Sequence, residues 1–518
     1  MHGVYPLVVR PMVFAVLVTA RACLAGEAIA APAAPADQPV ISFQTLRERA
    51  RGLASRSYQP ATAKLPDELR HLNYNDYEAI RFRPEQGPWQ NEHLDFTLQF
   101  FHPGFLYQDP VVIHLVEEGR VRDFEFSQKQ FDYGRVHFPQ PLPTGLHFAG
   151  LRVLYPLNHP NKQDEVASFI GASYFRILGA RQRYGASMRG LAIDTAEPAG
   201  EEFPRFTEFW VEKPAVHATF LQVFALLDSP SVAGAYWFVI KPGDTTIVQE
   251  EASLFPRKEI KKLGLATLTS MFLSGENRTR FIPDFRPEVH DSDGLLVRTG
   301  DSGWLWRPLV NPQKSHCVSR FEAAQPIGFG LLQRDRDPRD YQDLSAHYEL
   351  RPSFWVQPTL NTGTGAVELV EIPTPNEFHD NVVAYWVPGQ KIVPAQEVHW
   401  ACTLSSFLSG PEQSGLLTVQ ATRISPPHDQ MPPRFVIDFT GDPLGSSATP
   451  TGVEAKVQAS RGEINNLVVQ QNDITGGWRV FFDLIGDAGE ETDLRAFLLN
   501  ANSHRTVSET WIYHYERP

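Results

Sequence analysis

The sequence predicts an all-β protein, a large β-sandwich or barrel followed by a smaller one. Three observations lead there. Apolar runs are short and broken by Pro, Gly and Asp. Segments with helical spacing are scarce. Strand-favouring aromatics are plentiful, with 34 Phe, 15 Tyr and 10 Trp beside 42 Pro. The 518 residues are 42% hydrophobic and 21% charged, the make-up of a folded chain too long for one core.

In chain order, the N-terminus comes first. Arg10 precedes the apolar run PMVFAVLVTA (11–20). That run is too short to cross a bilayer, which takes ~20 residues. Ala28-Ile29-Ala30 supplies an A-x-A cleavage signal, so residues 1–30 read as a secretory signal peptide, against the competing reading of a membrane anchor. No Arg-Arg pair precedes the run and Cys23 lacks a lipobox, which points to general secretion. Cleavage removes Arg10, Arg21 and Glu27, leaving the chain one charge more negative than its full value of −13. An acidic chain without a basic run argues against nucleic acid and anionic membranes as partners. Cys317 and Cys402 remain, and either pairing or freedom is open to them.

Residues 31–39, APAAPADQP, read as a flexible leader. ISFQTLRERARGLASR then places Phe43, Leu46, Ala50 and Leu53 on one helical face, with Ser42 as N-cap. LDFTLQF alternates, with Leu94, Phe96, Leu98 and Phe100 inward, as a half-buried antiparallel strand does. Strands of similar style run to NVVAYWVPG, so 40–390 form the large domain. A boundary falls at VPGQKIVPAQE (387–397). Seven or eight short strands follow, and 397–518 fit an immunoglobulin-like sandwich.

Chemistry-bearing residues concentrate in three loops of the large domain. RPEVHDSDG (286–294) holds Glu288, His290, Asp291 and Asp293. It lacks the alternating ligands and terminal Glu of a calcium loop, and His290 has no partner at zinc-ligand spacing. Composition leaves it a solvated turn or part of a catalytic carboxylate pair. LLQRDRDPRDYQDLSAHYELRPSFW (331–355) interleaves Arg and Asp with Tyr348, Arg351 and Trp355. Such a stretch is a solvated face or a sugar-binding surface. VEIPTPNEFHDNVVAYW (370–386) sets Glu377, His379, Asp380 and Asn381 before an apolar strand, where they line a cleft or make the turn. No nucleophile elbow, P-loop or dinucleotide fingerprint is present.

Longer stretches carry a resemblance. FFHPGFLY (100–107), IGASYFR (170–176), YGASMRGLAIDTAEPAGEEFPRFTEFWVEKP (184–214), KLGLATLTSMFLSGEN (262–277), RPEVHDSDGL (286–295), WLWRPLVNP (304–312), GFGLLQRDRDPRDYQDL (328–344) and VELVEIPTPNEFHDNVVAYW (367–386) are similar to the periplasmic glucan biosynthesis protein G/D family (OpgG/OpgD, MdoG). The resemblance implies a galactose-mutarotase-like N-terminal β-sandwich joined to an immunoglobulin-like domain. It implies a periplasmic role in making osmoregulated glucans with a β-1,2-linked glucose backbone, and an inverting endo-β-1,2-glucanase activity. Asp380 then corresponds to the general acid and Asp291 to the general base, and a hydrolase needs one carboxyl of each kind. Burial and Glu377 should raise Asp380, while Asp291 stays ionised. Glu377 and Tyr348 match cleft positions, and Arg286, Trp304, Trp306, Arg307 and Trp355 are further substrate-binding candidates. No cofactor or metal is implied. A homodimer and an inner-membrane glucan synthase are implied as partners. Two departures stand out: Thr362-Gly363-Thr364-Gly365 replaces a Trp-containing segment, and SFLSGPEQSGLL is short. The missing Trp and the family's biosynthetic setting keep a second reading open, a glucan-binding assembly factor that cleaves nothing; mutarotase activity rests on fold analogy alone.

Overall fold

Alternating sequence builds the sheets. In the computed structural model Phe96, Leu98 and Phe100 are at most 2% exposed, and Thr97–Phe101 is a strand, with Leu94 half-buried beside it. The described residues are 41–517, without 61–64, 279–281, 300–302, 326–327, 361–362, 412, 414, 429–430 and 442–451. The expected signal peptide and leader lie outside them, as do Thr362 and parts of SFLSGPEQSGLL. Strand accounts for 49% and helix for 8%, so the chain is all-β.

Two large sheets enclose the main core. A 10-stranded sheet holds Thr97–Phe101, Gly150–His159, Lys162–Ile170, Leu263–Ser270, Val382–Pro388 and Gly365–Glu371 among its members. A 14-stranded sheet runs through Leu221–Asp228, Val232–Lys241 and Thr246–Pro256. Leu98, Leu151, Val223, Phe238, Leu268 and Trp386 meet between them. The helix Phe43–Ala54 covers the outside, with Leu46 and Ala50 fully buried against Trp210 and Leu226. Ser42 caps it in a reciprocal pair with Thr45, the cap read from the sequence.

The pairing redraws the C-terminal part. Val398–Phe407, the first strand after the Pro-rich segment, pairs with Thr246–Pro256 on one side and Ser353–Pro358 on the other. It belongs by pairing to the large sheet. Beyond it, Thr418–Ser425, Arg434–Thr440, Gly477–Ile485 and Glu463–Asn472 make a 4-stranded sheet. Val453–Ala459, Glu491–Asn500 and Thr510–Glu516 extend the large sheet through a parallel contact of Trp306 with Trp511. These two layers hold their own core of Phe435, Phe482, Trp511 and Tyr513.

Trp306 and Trp355 project into that second core. Gly294 and Gly328 make room for them: a Cβ on either would stand 2.2 Å from the facing indole. Arg334 seals the junction. Its guanidinium lies 3.6 Å from the Trp306 ring centroid and donates to Glu509 and the Val419 carbonyl. Arg307 and Glu371 form an ion pair of 2.9 Å at 1% and 0% exposure. Cys317 and Cys402 are both free thiols.

A buried pair is costly to break from one side, because the surviving charge stays desolvated. Arg307→Met should lower stability by about 3–5 kcal/mol, read as a fall in the urea midpoint. Adding Glu371→Leu should recover most of that loss.

Candidate functional site

Three loops from remote parts of the sequence meet at one end of the 10-stranded sheet. Leu268–Ser270 pairs with Val382–Ala384, so the segments that leave these two strands start side by side. Asn381 fixes one of them. Its amide oxygen accepts from the Phe272 N–H, and its amide nitrogen donates to the carbonyls of Phe272 and Ile372. Asp291 is fixed from the other side: its N–H donates to the Met271 carbonyl at 2.8 Å. Ser270 and Ser292 join hydroxyl to hydroxyl at 2.9 Å. Met271 and Phe272 thus tie the RPEVHDSDG loop to the NEFHDN loop.

RPEVHDSDG is no solvated turn. His290 and Ser292 are fully buried, and Glu288 and Asp291 are 5% exposed. His290 sits between Gln333 and Glu288. Gln333 donates to the His290 carbonyl, the Tyr341 hydroxyl and the Tyr348 carbonyl, which leaves its oxygen to accept from Nδ1 of His290. Asp293 is structural: its carboxylate accepts from the N–H groups of Arg334 and Asp335.

Arg351 organises the centre. It pairs with Asp291 and lies 3.9 Å from the Tyr348 ring centroid. Gly185 leaves space for it, since a Cβ there would stand 2.9 Å from the Arg351 Cβ. Burial pushes its guanidinium down to about 10, with Glu377 and Asp380 acting in the opposite direction. Tyr348, 1% exposed, donates to Glu377. Arg286 donates to the same Glu377 oxygen at 2.8 Å and to Asp343 and Asp284.

Asp380 is the outermost member. Desolvation raises its carboxyl above the ordinary value, and Arg176, Arg189, Arg351 and His379 pull it back. The group is exposed by area, which limits how far desolvation lifts it. The leading charges that act on it are cations. Arg189 is 6% exposed, pairs with Glu201 at 2.5 Å and stacks on Tyr174 and Phe203.

Asp291, Asp380, Glu377, Tyr348 and Arg286 therefore fall into one network. Trp304, Trp306, Arg307 and Trp355 do not. Trp306 and Trp355 fill the C-terminal core, Trp304 packs on Trp355 with centroids 5.6 Å apart, and Arg307 is paired with Glu371. Sequence reasoning places Arg351 on a candidate sugar-binding face without giving it a role at the centre, and it passes over Arg176, Arg189 and Tyr174. Arg351 lies in a charged stretch where neighbouring arginines have structural work: Arg334 reaches Glu509, and Arg336 donates to the carbonyls of Glu349 and Arg351.

Comparison with known proteins gives this arrangement a family. The sequence profile described as "Periplasmic glucan biosynthesis protein, MdoG" matches residues 41–515. The "Glucans biosynthesis protein G" of Ralstonia nicotianae is 46% identical over 476 residues, covering 90% of this chain and 94% of the relative. That of Rhodopseudomonas palustris strain BisA53 is 43% identical over 482 residues, covering 93% and 95%. The chain belongs to the periplasmic glucan biosynthesis protein MdoG family. A solved structure, the Slr1438 protein from Synechocystis sp., covers 60% of the chain at 8% identity and a TM-score of 0.18, too distant to carry an argument. Among the described residues no helix is long and apolar enough to cross a membrane.

Beneath the loops of this MdoG-family chain lies a second set of acids. Glu276, Glu288 and Asp335 bring carboxylate oxygens within 4.8 Å of one another, close enough to hold a cation; Glu491, His514 and Glu516 set two carboxylates and an imidazole at the same spacing in the C-terminal strands. Burial, then Glu288, pushes Glu276 up to about 8 and Asp335 up to about 7. Both values are raised, so the native state holds protons that the unfolded chain releases. The stability they contribute is complete below the ordinary carboxylate range and is lost as pH rises towards 8. The thermal midpoint should fall over that window. Glu276→Gln, which keeps an acceptor for the Thr422 N–H, should flatten the fall. An equal fall in the variant would place the pH dependence elsewhere.

Proposed function

We propose that this chain acts in the periplasm on a β-1,2-linked glucan, as part of glucan biosynthesis, and cleaves internal linkages with inversion. Asp380 is the general acid and Asp291 the general base. The observation that carries the reading is the shared guanidinium. Arg351 pairs with Asp291 and acts electrostatically on Asp380, so carboxyls from two remote loops lie within reach of one cation. Desolvation favours the protonated form at Asp380, as an acid requires, while the ion pair favours the charged form at Asp291, as a base requires. Glu377 and Tyr348, joined by a hydrogen bond and held by Arg286, present a fixed polar edge for sugar hydroxyls. The relatives' names support the glucan, and the family's name supports the periplasm, reached through cleavage of residues 1–30.

One observation favours a second reading. An oxygen of Asp291 is occupied by Arg351, which competes with a water for it. A chain that keeps this pair closed grips glucan without cutting it. It would then serve as an assembly factor beside the inner-membrane synthase, as a monomer or a homodimer.

Purified protein given linear β-1,2-glucan should release new reducing ends. Asp380→Asn should lower that rate by at least about a hundredfold, since a positioned acid contributes 10²–10⁴. Glucan bound by both proteins and cut by neither would leave the assembly reading in place. Arg351→Lys keeps the charge but loses the planar stack on Tyr348. It should lower kcat more than it changes KM.

A further inference from the structure

The last two strands carry metal-ligating side chains on one face. Glu491–Asn500 and Thr510–Glu516 run antiparallel, with Glu491 opposite Glu516 and Asp493 opposite His514. Residues two apart share a face of a strand, so all four project from the same side. Glu491, His514 and Glu516 bring two carboxylate oxygens and a ring nitrogen within 4.8 Å of one another. Asp493 stands behind the ring, where Nδ1 of His514 donates to its carboxylate at 2.9 Å.

Left to itself, this pairing is unfavourable. Like charges directly opposite on neighbouring strands repel. The nearest arginines in the chain are committed elsewhere: Arg517 donates to the carbonyls of Leu484 and Gly486, and Arg495 lies over the Phe497 ring. Among the described residues, the one acid–base pair made by either strand is His514 with Asp493. Glu491 and Glu516 thus face each other without a cation of their own.

We propose that Glu491, His514 and Glu516 bind a zinc ion, with Asp493 as the outer carboxylate that orients the imidazole. The proposal is independent of the glucan reading. Nδ1 donating to Asp493 leaves Nε2 with its lone pair, the arrangement in which metal-bound histidines are commonly held. Zinc stands about 2.0–2.2 Å from nitrogen and carboxylate ligands, so donors gathered this closely need only small side-chain movements. Its charge cancels the two carboxylates. The imidazole selects a transition metal over calcium or magnesium, which take oxygen ligands at higher coordination numbers. The Cys317 thiol also acts on the His514 ring, which places a soft donor beside the site. Access is available from a cavity lined by Ser274, Asn277, Asn311, Tyr513, His514 and Glu516. Cys317 begins the edge strand of the 10-stranded sheet, so the ion ties the last two strands together where that edge meets them.

The test is calorimetric titration of zinc into the full chain after chelation, with His514→Ala, Glu516→Gln and Asp493→Asn alongside. The parent should bind one zinc per chain, and zinc should raise its thermal midpoint. Asp493→Asn keeps every ligand and should weaken binding about ten- to hundredfold. His514→Ala and Glu516→Gln each remove a ligand and should weaken it further, and zinc should no longer move their midpoints. Without metal, Glu516→Gln should melt no lower than the parent, because it removes a repulsion; this separates a lost ligand from a damaged fold. A parent that binds no zinc at micromolar concentration would overturn the site. Zinc bound equally by the parent and the ligand variants would place the ion elsewhere and overturn it too. Calcium bound as tightly as zinc would overturn the choice of a transition metal.

Discussion

Carboxylates crowd the cleft, and the loops that carry them can close only where a cation stands between. Two unit charges 4 Å apart repel by about 4 kcal/mol at an effective dielectric near 20. Arg286 faces Asp284, Asp343 and Glu377, and Arg351 faces Asp291. Each guanidinium is more than four-fifths removed from water, so its charge is little screened. Loops 284–293 and 343–351 share a small apolar cluster of Val289, Ala346 and Tyr348, and loop 377–380 is joined to them through charge and the Tyr348–Glu377 hydrogen bond. At Glu276 and Asp335, beside Glu288, protonation relieves the crowding instead: burial, then Glu288, raises both.

The sheet decides which loops are available for this. Val382–Pro388 is buried along its whole length, and Asn381 closes its end with hydrogen bonds from both sides of its amide. Asp380 is the first residue outside that lock. Its neighbour is immobilised while it is itself open to solvent, the combination that lets a side chain meet a ligand from a fixed position. Asp291 is held by the backbone of Met271, one residue from Phe272, to which Asn381 is bonded. Two carboxyls 89 positions apart in sequence thus take their places from a single pair of adjacent residues.

Local pattern made the scaffold legible. Alternation marked Phe96, Leu98 and Phe100, and the cap at Ser42 marked the helix, because each depends on residues a few positions away. The site depends on distant ones. RPEVHDSDG reads as a polar turn until Met271, Gln333 and Arg351 are brought against it, and no spacing within the loop encodes that. Asp291 and Asp380 came from resemblance, not from their surroundings. The tryptophans follow the same rule. Aromatic density shows that rings are present but not which side of a strand they take, and Trp306 and Trp355 turn away from the cleft into the C-terminal core. Gly294 and Gly328 held the available signal, since a glycine inside an apolar strand indicates a bulky neighbour. The Pro-rich segment at 387–397 breaks the chain's pattern, and the strand after it pairs within the large sheet.

Under the hydrolase proposal, the position of Arg351 also divides the work of the two acids. The cation stands in contact with Asp291 and only within electrostatic reach of Asp380. It favours the charged form of both, but more strongly where it touches. Desolvation then works against the charge at Asp380. One guanidinium placed off-centre therefore makes a base of the nearer carboxyl and leaves the farther one able to hold a proton, which is the asymmetry that acid–base pairs require. The same placement makes the base weaker while the pair stays closed. A ligand that draws Arg351 towards Glu377 would free the Asp291 oxygen for water, so binding and cleavage would be coupled through this one side chain. A family member that keeps the pair closed would retain the grip and lose the cut.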